Sequence, residues 1–181
     1  MDIQAETPTN TGIAYAAADE HAVRSDVISF AIGDEQYGVD IMAVREIKGW
    51  SGVTYLPNQP DYVRGVLNLR GVMVPILDLR CRFGQGVTET TPMHVVIIVQ
   101  IEGQQIGLLA DRVLDIVSFD SSQLQPVPRI ANSVRVSFLS GLITIEGVML
   151  ALVDLPNLLS VQIEAAELAM PEQNIALAPE A

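Results

Sequence analysis

Two aspartates at matching places in the chain are the side chains best suited to catalysis. Asp78 and Asp154 each end an apolar run that follows a glycine-containing turn. Paired carboxylates can share a proton, as they do in aspartic proteases. Such dyads need small residues after the aspartate, whereas here a leucine follows each one, and then Arg80 or Pro156. An aspartate that caps a short helical turn fits this pattern better, and an aspartic hydrolase is kept as the minor alternative.

A cysteine nucleophile is the second chemical possibility. The sequence has one cysteine, Cys81, and two histidines, His21 and His94. Nothing around Cys81 resembles a nucleophile turn or an oxyanion loop, so an ordinary half-buried thiol is the better interpretation. The sequence also has no glycine-rich phosphate loop followed by lysine and no dinucleotide fingerprint. We therefore predict no catalytic residue, no metal site and no cofactor.

The segment Gly65 to Leu79, which reads GVLNLRGVMVPILDL, is the element that positions the first aspartate. Two apolar runs flank Arg70-Gly71, and glycine supplies the positive φ that tight hairpin turns need. The run from Val72 to Leu77 is almost unbroken, which is typical of a strand covered on both sides. The pattern predicts a β-hairpin with Arg70 in its turn.

The same design returns in the second half of the chain. Three residue pairs match at an offset of 76 (141 − 65): Gly65 with Gly141, Gly71 with Gly147, and Asp78 with Asp154. A second block matches at an offset of 69 (107 − 38): Gly38 with Gly107, and Glu46 with Asp115. These collinear blocks indicate a duplicated unit of about 70 to 80 residues. Since Arg70 in one turn is replaced by Glu146 in the other, the two halves are expected to meet different partners.

Composition and charge exclude several classes of protein. Of the 181 residues, 49 % are apolar, which is enough to fill a core. Ten basic and 22 acidic residues give a net charge of −12, which argues against nucleic-acid binding. No apolar run is long enough to span a bilayer, and the first ten residues do not resemble a secretory signal. A cytoplasmic protein is the simplest expectation.

Many short apolar segments separated by Gly and Pro predict an all-β protein of two small barrels. The predicted strands outside the two hairpins are Val27–Ile32, Tyr37–Asp40, Val95–Ile101, Ile106–Ala110 and Val113–Phe119. We expect a mobile tail over 1–24, a first subdomain over 25–86 and a second over 87–155. A C-terminal helical segment over 156–170 is expected to pack back on the first subdomain, and residues 171–181 form a second mobile tail.

Five segments between residues 27 and 159 resemble the CheW-type chemotaxis coupling proteins. They read VISFAIGDEQYGVDIMAVREI, LP, YVRGVLNLRGVMVPILDLRCRFG, IGLLADRVLDIVSF and FLSGLITIEGVMLALVDLPNLL. The most specific element is the NLRG turn, Asn68 to Gly71, followed at the right distance by the PILDL run.

This resemblance implies a fold and a role. The fold is a pair of five-stranded SH3-like barrels packed face to face, and the role is that of an adaptor without catalysis. One surface would bind the regulatory domain of the histidine kinase CheA, and another the cytoplasmic tips of methyl-accepting chemotaxis receptors. Receptor arrays would recruit the protein to the inner face of the membrane. The same adaptor role in a surface-motility or biofilm pathway is the alternative.

The resemblance also implies site residues. Those expected to bind receptors are Arg70, Asn68, Val44, Glu46 and Gly65. Those expected to bind the kinase are Ile47, Gly107, Ile116 and Leu108. Because the two glycines have no side chain to contribute, we expect them to act through the shape of the backbone.

Overall fold

Ten β-strands dominate the residues that the structure, a computed structural model, describes: 23–128 and 133–160. They are β1 (Arg24–Ile32), β2 (Glu35–Asp40), β3 (Val44–Gly49), β4 (Val63–Leu69), β5 (Val72–Asp78), β6 (Val95–Ile101), β7 (Gln104–Ala110), β8 (Arg112–Asp120), β9 (Leu139–Ile145) and β10 (Val148–Val153). The helices are short: α1 (Leu79–Arg82), three 3-10 turns (Ile41–Ala43, Ser121–Gln123 and Val134–Phe138), and a helical stretch at 155–160, called α2 here. The predicted tails, apart from residues 23 and 24, and the predicted helix beyond residue 160 lie outside the described residues.

The strands form two five-stranded sheets, and each sheet takes strands from both halves of the chain. One sheet has the order β8-β1-β2-β10-β9, and the other has the order β3-β6-β7-β5-β4. The predicted division into 25–86 and 87–155 therefore does not match the sheets. The physical reason is that two parallel pairings, β2 with β10 and β5 with β7, join strands that are far apart in sequence.

The duplication explains this exchange of strands. Each sheet contains the first two strands of one repeat and the last three strands of the other, so the two sheet orders are equivalent. Gly38 of β2 lies opposite Leu152, and Gly107 of β7 lies opposite Ile76, at matching places. A Cβ atom on Gly107 would come within 2.4 Å of the Ile76 Cδ1 atom. Glycine at this position therefore lets a large neighbouring side chain fill the interior.

One apolar core joins the two sheets. It contains Phe30 and Tyr37 from the first sheet and Leu108 from the second, all almost completely buried. The helical residues that follow the two hairpins contribute Leu79 from α1 and Leu158 from α2 to the same core. The 155–160 stretch thus packs against apolar residues from both halves of the chain.

Arg82 of α1 lies between two equivalent aromatic rings. Its guanidinium carbon is 4.2 Å from the ring centre of Tyr62 and 4.3 Å from that of Phe138. Tyr62 and Phe138 are equivalent residues of the two repeats, 76 positions apart. The Tyr62 backbone carbonyl accepts the backbone N–H of Asp78 at 2.7 Å, and the Phe138 carbonyl accepts that of Asp154 at 2.8 Å. Arg82 therefore occupies the place where the two repeats meet.

Replacing Arg82 by alanine is expected to lower the free energy of unfolding by about 2 kcal/mol. The variant loses the contacts of the guanidinium with both rings in a partly desolvated site, and it also loses packing of the side-chain stem. Arg82→Leu, which introduces the residue type found at the equivalent Leu158, should retain most of the packing and lose less. Urea unfolding followed by circular dichroism measures both. An alanine variant as stable as the parent would contradict the role given to these contacts.

Candidate functional site

The turn between β4 and β5 projects Arg70 from the molecule. Leu69 pairs with Val72, so the loop has two residues, and both have positive φ: 51° at Arg70 and 90° at Gly71. This is the pattern of a type I′ turn, whose twist matches that of the flanking strands. The Asn68 side-chain oxygen accepts the Gly71 N–H at 2.8 Å and holds the turn closed. The predicted hairpin is confirmed, and the Arg70 side chain is 80 % exposed.

Glu46 of β3 lies beside this turn. Arg70 Nη2 contacts Glu46 Oε2 at 2.8 Å and Oε1 at 2.9 Å. An exposed ion pair of this kind contributes little to stability, on the order of 0.5 kcal/mol. Its importance is positional, because it holds the guanidinium against the end of β3 while the other Arg70 donors stay exposed to a partner. The structure thus brings together three of the residues predicted to bind receptors: Asn68, Arg70 and Glu46.

The other two predicted receptor-binding residues have different environments. Val44 is half-buried at the start of β3 and packs against the main core. Gly65 is buried and has a φ of 137°, and a Cβ atom there would lie 2.2 Å from the Thr54 carbonyl oxygen. The expected role of Gly65 in shaping the backbone agrees with this geometry, since no side chain could be accommodated without moving the Thr54 backbone.

The residues predicted to bind the kinase have different environments. Ile116 is 59 % exposed on β8 and Ile47 is 42 % exposed on β3, in different sheets. Gly107 and Leu108 are buried in β7, the central strand of its sheet. Neither residue presents an exposed side chain, so their assignment to kinase binding stays a prediction, with Gly107 expected to act through the shape of the backbone. Both faces of a central strand are covered, and periodicity alone does not distinguish such a strand from one at an edge.

Sequence reasoning missed the exposed apolar residues next to the hairpin turns. Val72 and Met73 begin β5, and Val148 and Met149 begin β10 at the equivalent places. All four are exposed, so the run from Val72 to Leu77 is covered on both sides only in its later part. The sequence does contain a signal for this exposed apolar pair, since Gly-Val-Met is repeated at the same offset after both turns. Strand formation alone does not require the same two apolar residues at both places, so their repetition suggests a contact surface.

Asp78 and Asp154 cap helices, which removes the basis for an aspartic dyad. Asp78 is fully buried and accepts hydrogen bonds from Cys81 N at 3.2 Å, Thr88 N at 2.7 Å and Thr88 Oγ1 at 2.6 Å. Asp154 accepts from Asn157 N at 3.0 Å and Nδ2 at 2.8 Å. Each carboxylate thus satisfies the free N–H groups at a helix N-terminus, as the better interpretation of the sequence predicted.

The cysteine and the described histidine also have structural environments. Burial raises the pKa of the Cys81 thiol, and the neighbouring Asp78 carboxylate raises it further, so the thiol stays protonated and unreactive near neutral pH. His94 Nδ1 accepts the Thr91 N–H at 3.0 Å, while Nε2 lies 3.5 Å from Asp111 Oδ1. Within 23–128 and 133–160, no three or more Cys, His, Asp and Glu side chains are placed to hold a metal ion. None of the helices in these ranges is both long and apolar enough for a membrane span.

These features define a class of protein that binds through surfaces. The most exposed charged group of the first hairpin, Arg70, is held by Glu46 at the rim of one sheet, and an equivalent hairpin with a glutamate belongs to the other sheet. The described polar side chains that could have done chemistry serve instead as helix caps or take part in ion pairs. The molecule is a scaffold with two related but oppositely charged turns.

Comparison with known proteins identifies the family. The family model described as CheW-like domain matches residues 26–162. The chain is 44 % identical to the chemotaxis protein CheW of Rhizobium meliloti over 132 residues, which cover 73 % of this chain and 85 % of that protein. It is 40 % identical to the chemotaxis protein CheW of Klebsiella aerogenes over 138 residues, 76 % of this chain and 83 % of that one.

A solved structure agrees with this result. The scaffolding protein CheW of Thermoanaerobacter tengcongensis superposes with a TM-score of 0.67 at 30 % identity, covering 76 % of this chain and 88 % of that one. The chain therefore belongs to the CheW-like family and is a non-catalytic adaptor of chemotaxis signalling. The predicted all-β class with two five-stranded SH3-like subdomains is confirmed.

Proposed function

We propose that this adaptor couples methyl-accepting chemotaxis receptors to a CheA-type histidine kinase through two separate surfaces. The receptor surface is the Arg70 turn with Asn68 and Glu46. The main support for this assignment is the Arg70 side chain, which is 80 % exposed and is held at the rim of its sheet by Glu46. The kinase surface includes Ile116, which is exposed on the other sheet. Binding to receptor arrays would bring the protein to the inner face of the membrane.

The chemistry of Arg70 suits the cytoplasmic tip of a receptor. Its guanidinium presents several donors in a planar fork, which can bind a carboxylate or the free carbonyls at a helix end. A partner carboxylate would compete with Glu46 for the same N–H donors. Until then the ion pair with Glu46 keeps the Arg70 guanidinium in a fixed position. Because the turn is closed by its own Asn68–Gly71 hydrogen bond, little backbone ordering is needed on binding.

Coupling requires more than simultaneous binding. The affinity for the kinase regulatory domain must change when the receptor is bound, and by thermodynamic linkage the affinity for the receptor must change by the same factor. The two sheets share one core, so a change at one hairpin is connected to the other sheet through packed side chains. Calorimetric titration with the kinase regulatory domain, with and without a saturating receptor fragment, tests the proposal directly.

Arg70→Glu is expected to weaken receptor binding at least tenfold, since it removes the donors and places a carboxylate beside Glu46. The fold and the kinase affinity should be unchanged, because Arg70 is exposed and its ion pair contributes little to stability. Titration of each variant with a soluble receptor fragment measures the effect. Arg24→Glu, an equal change of charge at an exposed position on the other sheet, is the control.

The control variant should bind the receptor fragment within about twofold of the parent, which excludes a general effect of added negative charge. Circular dichroism establishes that both variants are folded. A folded Arg70→Glu protein with unchanged receptor affinity would disprove the role assigned to this turn.

A further inference from the structure

An open cleft lies between the turn from β7 to β8 and the linker that joins α1 to β6, residues 83–94. Its volume is about 640 Å³, within the range of sites that hold drug-sized molecules. We call it the linker cleft and define it by six of its lining residues: Arg80, Val87, Glu89, Met93, Asp111 and Arg112. None of these residues belongs to the Arg70 turn.

The Asp111 carboxylate fixes one wall of the linker cleft. Its Oδ2 atom accepts the Gly33 N–H at 2.7 Å and an N–H of Arg80 Nη2 at 2.6 Å. His94 Nε2 lies 3.5 Å from Oδ1 of the same carboxylate. Among the described residues, Arg80 is thus held through Nη2 alone, and its other N–H donors stay available to a ligand.

The duplicated fold does not require the charges of this cleft. Uncharged residues occupy the equivalent places of the other repeat, at the offsets of 76 and 69: Pro156 for Arg80, Met42 for Asp111 and Ala43 for Arg112. The two sheets nevertheless have equivalent strand orders. Charges that are present in one copy of the fold and absent from the other are therefore not explained by folding.

Two exposed charges of opposite sign line the linker cleft without contacting one another. Arg112 is the first residue of β8, and Glu89 lies in the linker. Over the residues 23–128 and 133–160, neither side chain takes part in an ion pair, so their charged atoms are more than 4.0 Å apart. A ligand with a negative and a positive end could bridge them.

Apolar side chains accompany these charges. Val87 is 54 % exposed and Met93 is 81 % exposed, and both line the same cleft. Exposed apolar groups beside a few polar ones are typical of sites for small molecules, in which the apolar groups contact the body of the ligand and the polar groups orient it. The linker cleft thus presents a cation, an anion and an apolar wall.

We propose that the linker cleft binds a di- or tripeptide with apolar side chains and free termini. The carboxylate of the peptide binds the Arg112 guanidinium and the remaining Arg80 donors, and its ammonium group binds Glu89. Val87 and Met93 contact the apolar side chains of the peptide. This site is independent of the receptor and kinase surfaces proposed above.

The charge of the cleft favours a zwitterion over a simple anion. Arg80 and Arg112 balance Asp111 and Glu89 within the cleft, so a ligand without net charge preserves this balance. An anion would also approach against the overall charge of −12. The volume favours a short peptide over a single amino acid, because it is that of a site for a drug-sized ligand.

The test titrates the full chain with leucyl-leucine and with two blocked forms, N-acetyl-leucyl-leucine and leucyl-leucine amide. Each blocked form lacks one of the two charges. Leucyl-leucine should bind with a Kd on the order of 0.1 to 1 mM, and each blocked form should bind about fivefold more weakly. Calorimetry measures the affinities. Two-dimensional proton–nitrogen NMR locates the site, and the shifted amide signals should be those of residues 80–94 and 110–112.

Two variants assign each end of the peptide to a side chain. Arg112→Gln should weaken leucyl-leucine about fivefold but leave the amide form within about twofold, because that form has no carboxylate to lose a partner. Glu89→Gln should have the same relation to the N-acetyl form. Arg24→Gln and Glu102→Gln make the same changes at exposed positions outside the cleft and serve as matched controls. Circular dichroism establishes that all four variants are folded.

Three results would overturn the inference. The first is the absence of saturable leucyl-leucine binding up to about 10 mM. The second is equal affinity for the free and the blocked peptides, which would show that the charges do not recognise the termini. The third is unchanged leucyl-leucine binding by both Arg112→Gln and Glu89→Gln, which would place the peptide elsewhere on the protein.

Discussion

Replacing Gly65 by alanine is expected to lower the free energy of unfolding by about 3 to 5 kcal/mol, enough to unfold a marginally stable protein. A φ of 137° lies outside the range that residues with a Cβ atom readily adopt. The added methyl group would also lie 2.2 Å from the Thr54 carbonyl oxygen. Thr54 and Val66 exchange two backbone hydrogen bonds of 2.8 Å, so Thr54 cannot retreat without breaking them. Urea unfolding monitored by circular dichroism measures the loss.

The equivalent glycine offers a matched control. Gly141 does not have a positive φ, and an added methyl group would meet mainly the end of the Leu124 side chain, which is itself partly exposed. Gly141→Ala should therefore cost clearly less than Gly65→Ala, since a flexible side chain can move aside. Equal losses at the two positions would show that the backbone contact with Thr54 is not the cause. If Gly65→Ala binds receptor poorly, this loss of folding is the expected explanation.

Asp78→Ala is expected to cost about 3 to 5 kcal/mol in the free energy of unfolding. The fully buried carboxylate accepts three hydrogen bonds and lies 3.6 Å from the Arg64 guanidinium. Removing it leaves buried donors of Thr88 without a partner and leaves the Arg64 charge unpaired in a half-buried place. Thermal unfolding gives the effect as a fall in the melting temperature of many degrees.

Asp154→Ala is the matched substitution in the second repeat. Asp154 caps its helix in the same way, but it is only partly buried, and both of its side-chain hydrogen bonds go to the neighbouring Asn157. The expected cost is that of a helix cap, about 1 kcal/mol. A loss at Asp154 as large as that at Asp78 would contradict the importance assigned to burial and to the Thr88 contacts.

Local features could be predicted from the sequence because local physics determines them. The Arg70-Gly71 turn followed from glycine between two apolar runs, and the helix-capping role of Asp78 followed from the residues after it. The duplication followed from collinear matches and predicted the equivalence of the two hairpins. Each of these inferences depends on residues close in sequence, or on a comparison of the chain with itself.

Long-range pairing could not be predicted in the same way. The alternation of apolar residues in β2 does not indicate that it pairs with β10 rather than with a strand of its own half, so the sequence predicts a boundary at residue 86 that the exchange of strands does not respect. The burial of Leu108 and the position of Arg82 between two rings could not be predicted for the same reason. Both depend on which elements meet in space, and a single sequence does not specify this.

The exchange of strands between the sheets also determines when the protein can fold during synthesis. Strands β1 and β2 are made first, yet their partners on either side are β8 and β10, with Ile28 paired to Ile116 and Gln36 paired to Leu150. The β1–β2 hairpin therefore keeps apolar faces and strand edges uncovered on the ribosome until β8 and β10 have been synthesised. Pairings so distant in sequence slow folding, and uncovered edges invite association with other chains. A fragment ending before Val148 would lack the β10 partner of β2 permanently, so the adaptor becomes a stable scaffold only when β10 is in place.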